Sequence, residues 1–92
     1  MPSMYEEYRQ EFLENLEQSE AEVRKQYAPG SFDCHEALHM ASAMLKSVDR
    51  ELLQHGAIIT HPEWFALAEE AFDRLYALYQ AIGEEHVGRK AK

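Results

Sequence analysis

Apolar residues recur at three- and four-residue spacing in three stretches of the chain, and no stretch alternates like a strand. Two clusters of helix-breaking residues separate them: Ala28-Pro29-Gly30, and His55-Gly56 followed by Thr60-His61-Pro62. The first stretch opens on Ser3 with Glu6 three residues later, the spacing of a capping box. Its apolar seam is Tyr5, Tyr8, Phe12, Leu16, Val23 and Tyr27, a stripe of roughly 100°. Pro29 ends it, because the residue before a proline is pushed out of the helical region.

The second stretch starts at Asp33, with Glu36 as its capping-box partner, and carries Cys34, Leu38, Ala41, Leu45, Val48 and Leu52 at 4-3-4-3-4 spacing. Gly56 is the expected left-handed residue past its end. Thr60 and Glu63 cap the third, with Pro62 in the first turn where no N–H is needed. Its seam is Phe65, Ala68, Phe72, Leu75, Tyr79 and Ile82; Trp64, Leu67, Ala71, Tyr76 and Leu78 widen it to roughly 180°. A helix apolar over half its circumference needs two neighbours.

These elements predict an all-α fold: an up-down-up three-helix bundle with helices near 3–27, 33–55 and 61–86. Residues 1–87 form one domain and 88–92 a flexible basic tail without an apolar anchor. At 92 residues the core is small, so dimerisation is an expected way to complete the bundle.

Charge narrows the function. The chain carries 9 Lys+Arg against 17 Asp+Glu, a net charge of −8. Residues 1–23 contain seven Glu and one Arg, whereas residues 24–62 are balanced. Few, scattered cations argue against direct nucleic-acid binding and against attraction to anionic lipid. Neither a charge-free apolar span nor a signal peptide is present in these 92 residues, so a cytoplasmic location is expected. The single Cys34 cannot form a disulfide within the chain; on the seam it serves as a small hydrophobe rather than a nucleophile.

One motif could carry chemistry. His35-Glu36-Ala37-Leu38-His39 matches H-E-x-x-H, in which two His one helical turn apart bind zinc and the Glu acts as general base. It resembles the signature of the zincin metallopeptidases over these five residues. The resemblance implies a third ligand, for which Glu69, followed by Asp73, is loosely similar to the downstream helix of the Glu-liganded members. The sheet edge on which those enzymes lay substrate has no counterpart upstream, where an acidic helix is expected. Capping accounts for Glu36, and His35 and His39 fall on a flank with Ser42, Lys46 and Arg50 that suits solvent. Hairpin pairing of the second and third helices would set His35 near Ile82 and within reach of His86, so a His35/His39/His86 metal site is the variant retained. His55 and His86 also suit helix C-termini, where a cation is favoured.

The expected function is therefore non-catalytic and requires no cofactor: a small adaptor, regulator or inhibitor that binds a second copy of itself or another protein, a basic one included. Met40, Met44, Leu67, Ala71 and Leu78 are the candidate contact residues, because the bundle leaves them uncovered. Metal binding through His35 and His39 is the first alternative. An acidic mimic of a nucleic-acid backbone, seated in the groove of a DNA- or RNA-processing enzyme, is the second.

Overall fold

The computed structural model describes residues 4–90, with side chains described for 5–88. These residues are 85% helical without a strand, so the all-α expectation holds. In order they form α1 (Met4–Asn15), α2 (Glu20–Gln26), α3 (Phe32–Ser47) continued by a π-helical segment (Val48–Leu53), α4 (Gly56–Ile59) and α5 (Pro62–Lys90). The packed part is a hairpin: α3 and its π extension lie along α5, and α4 forms the bend between them.

The seams of α3 and α5 meet as the periodicity requires. Ala41 and Leu45 on α3 and Ala68 on α5 are buried, and Phe65, Phe72, Leu75, Tyr79 and Ile82 on α5 are half-buried. A Cβ added at Gly83 would stand 3.6 Å from Leu38 Cδ1, ordinary van der Waals contact, so the Leu38 side chain reaches α5 at Gly83 near the open end. The π segment changes the register. Widening the turn by one residue moves the following seam position along by one. Leu53, not the predicted Leu52, is therefore turned inward, and Leu52 is exposed.

Several local expectations are corrected. The helix expected over 3–27 is two helices, broken where Glu17 adopts a left-handed φ of 55°. Ser19 restarts the chain by accepting the Glu22 N–H at 3.2 Å. Ser19 with Glu22 is itself capping-box spacing, a signal that the longer apolar seam masked. The α3 cap is Ser31, which accepts the Cys34 N–H at 3.0 Å; Asp33 sits inside the first turn instead. Gly56 begins α4 rather than ending the previous helix, and Thr60 closes α4 by donating its hydroxyl to the Gly56 carbonyl at 2.9 Å. Helix α5 runs on to Lys90, past the expected end at 86, so the start of the expected tail is helical. The Ser3 cap and the last two tail residues lie outside the described residues.

The arm formed by α1 and α2 packs little against the hairpin. Of its predicted seam only Val23 is buried; Tyr5 is 81% and Phe12 66% exposed, and Tyr8, Leu16 and Tyr27 are exposed as well. Within the arm the polar side chains pair locally. Arg9 Nε donates to Glu6 Oε2 at 2.9 Å, and Arg24 Nε and Nη2 donate to Glu20 Oε1 at 3.2 and 2.7 Å. Such pairs stabilise a helix by a few tenths of a kcal/mol each and do not anchor it to anything else.

Size follows from this arrangement. The radius of gyration is 16.5 Å, against about 12 Å for a compact chain of this length. The accessible surface is 7610 Å², where a compact monomer of 10.7 kDa exposes about 5,500 Å².

Candidate functional site: an uncovered apolar face and a histidine lock

The open end of the hairpin is held by a histidine. His86, on the buried side of α5, is 2% exposed. Its Nδ1 accepts the Gly30 N–H at 2.9 Å, which ties the α2–α3 turn to the far end of α5. Gly30 holds a φ of 91°, which L side chains rarely adopt, so the turn that aims this N–H needs glycine. Because Nδ1 accepts, the neutral ring carries its proton on Nε2, which is buried and has no hydrogen-bond partner among the described residues. His35 lies beside it, ring centroids 5.6 Å apart, and a cavity of about 410 Å³ lies against Gly30, Ser31, Phe32, His35 and His86.

The approach of His35 to His86 is the one hairpin pairing predicts. It does not extend to a metal-binding cluster: among the described residues no three His, Cys, Asp or Glu are gathered so as to hold an ion. His39 is exposed one turn further along α3, and Glu69 and Asp73 are exposed on α5. A metal on His86 Nε2 would also require the ring proton on Nδ1, facing the Gly30 N–H, so ligation would break the bond that holds the turn. Glu36 is exposed, and with Ser31 as cap it is no longer needed for a capping box at Asp33.

The other histidines have local duties. His55 follows the C-cap of the π-helical segment, its N–H donating to the Leu52 carbonyl at 3.1 Å. It is the N-cap of α4, with Nδ1 accepting the Ala57 N–H at 3.0 Å. His61 lies 2.8 Å, through Nδ1, from the Ala57 carbonyl and stacks on Trp64 with ring centroids 3.8 Å apart. Cys34 is half-buried at the start of α3.

The larger feature is what the hairpin leaves open. On α5, Leu67 is 65% and Leu78 50% exposed, and Ala71 is exposed between them. On α3, Met40 and Met44 are exposed. Glu70, Asp73, Arg74 and Ala77 are exposed beside Leu67 and Ala71 on the same side of α5. The reason is geometric. Half the circumference of α5 is apolar, and among the described residues α3 with its π extension and the short α4 pack on it while α1 does not lie along its other side.

Among the described residues no helix is long and apolar enough to cross a membrane. Set against family models, curated proteins and solved structures, the chain matches none of them.

Proposed function

We propose that this chain is a non-catalytic interaction protein whose α3–α5 hairpin is one half of a larger helical assembly. One observation carries the reading: the chain exposes about 2,100 Å² more than a compact monomer of its mass, and Met40, Met44, Leu67 and Leu78 are among its exposed large apolar side chains. A standard interface covers about 800 Å² of each partner, so the excess is ample for one. Leu67, Ala71 and Leu78 on α5 and Met40 and Met44 on α3 are the contact residues. A third helix laid along α5, from this chain or from another molecule, would complete the expected three-helix bundle, and dimerisation supplies one. The histidine lock is assigned a structural role, which keeps the hairpin rigid so that the face is presented ready-formed.

The test separates folding from association. Leu67→Glu with Leu78→Glu changes two exposed side chains, so helix content by circular dichroism should stay within error of the parent. Association, read as apparent mass by light scattering at micromolar concentration, should fall to that of one chain. A parent that already has the mass of one chain and binds no apolar dye would overturn the reading.

A further inference from the structure

We infer that the occupant of the α5 face is a second copy of this chain, paired antiparallel along α5 about a two-fold axis between residues 72 and 73; this rests on the interaction reading above. Trp64, Leu67, Ala71, Arg74, Leu78 and Ala81 share one stripe, about 100° around α5 from its buried seam. About that axis Leu67 meets Leu78 of the second copy, Trp64 meets Ala81, and Ala71 meets Arg74. Apolar residues face apolar residues at the two outer pairs, Arg74 stands against Ala71 at the centre, and the alanines allow close approach.

Charge supports the same partner. Arg74 is the only cation between residues 51 and 88, and it stands in the middle of the stripe. Among the described residues neither Arg74 nor Glu70 has an ion-pair partner. Antiparallel pairing brings each Arg74 beside Glu70 of the second copy, so the one Lys or Arg of residues 51–88 meets a negative group twice by symmetry.

The experiment uses the full chain with Cys34→Ala, so that introduced thiols are the only ones. Light scattering should report about twice the 10.7 kDa chain mass. Under mild oxidation, an equimolar mixture of Leu67→Cys and Leu78→Cys chains should form disulfide-linked dimers. Either variant alone should form less than a tenth as much, because like positions lie about 16 Å apart along antiparallel helices. Arg74→Glu should weaken dimerisation at least ~10-fold, and adding Glu70→Arg should restore it. Cross-linking of Leu67→Cys alone, or a dimer indifferent to Arg74→Glu, would overturn this pairing. A single-chain mass that still binds apolar dye would overturn self-association and leave the interaction reading standing; a single-chain mass without dye binding would overturn both.

Discussion

The α3–α5 hairpin and the α1–α2 arm have the same kind of sequence pattern and opposite outcomes. Both place apolar residues at three- and four-residue spacing, and both are helical. In the hairpin the seams meet each other, and Ala41, Leu45 and Ala68 are buried. In the arm Tyr5, Tyr8, Phe12 and Leu16 form an equally regular stripe that stays exposed, while Glu7, Glu11 and Glu14 surround it. Periodicity sets which face of a helix is able to pack. Whether that face packs depends on the connection and on charge. The hairpin is closed at one end by the α4 bend and at the other by the Gly30–His86 hydrogen bond; the arm, broken at Glu17, has no such tie along α1.

Core truncation should separate the two regions most. Leu45→Ala removes a buried side chain from the hairpin and should cost about 2–4 kcal/mol, by chemical denaturation. Phe12→Ala removes a larger side chain from an exposed position and should cost under about 1 kcal/mol. Equal losses would mean that the arm packs as the hairpin does.

The lock ranks next. His86→Ala leaves the Gly30 N–H without its acceptor and opens space at the end of the hairpin, an expected loss of about 2 kcal/mol. A change below about 0.5 kcal/mol would show that His86 does not hold the turn.

The two serine caps repeat the comparison on a smaller scale. Ser31→Ala should cost about 1 kcal/mol of global stability, because α3 is part of the cooperative unit. Ser19→Ala breaks the same kind of bond on α2, yet should change mainly local exchange of the α2 amides, with little effect on the denaturation midpoint.

Acid gives the smallest effect. Hydrogen bonds from Arg9 and then Gln10 hold the Glu6 carboxyl down at about 2, below its ordinary value of 4.5. A lowered pKa in the folded helix means that this stabilisation is present above about pH 4.5 and is lost as pH falls towards 2. The pair is exposed, so the change should be a slight loss of α1 helicity, absent in Glu6→Gln.

Much of the hairpin was legible in the sequence because its seams are long and its breakers strong. The pairing also set His35 towards His86. What was missed depends on single residues. Glu17 takes a left-handed conformation that a glutamate rarely adopts, so nothing in the apolar pattern marks the break. The π segment shifts the seam from Leu52 to Leu53, a one-residue change that a 3.6-residue period cannot express. The role of His86 was missed because its partner is a backbone N–H far along the chain, presented only once Gly30 has turned. The exposed face was anticipated from the width of the α5 apolar arc, which one neighbour cannot cover.

Small-angle X-ray scattering tests most directly whether one chain is incomplete by itself, because it returns mass and size together. The expected result is a mass near twice 10.7 kDa, with a radius of gyration above the 16.5 Å of one chain. A mass of one chain with a radius near 12 Å would contradict it, since the arm would then have folded onto the hairpin and covered the face.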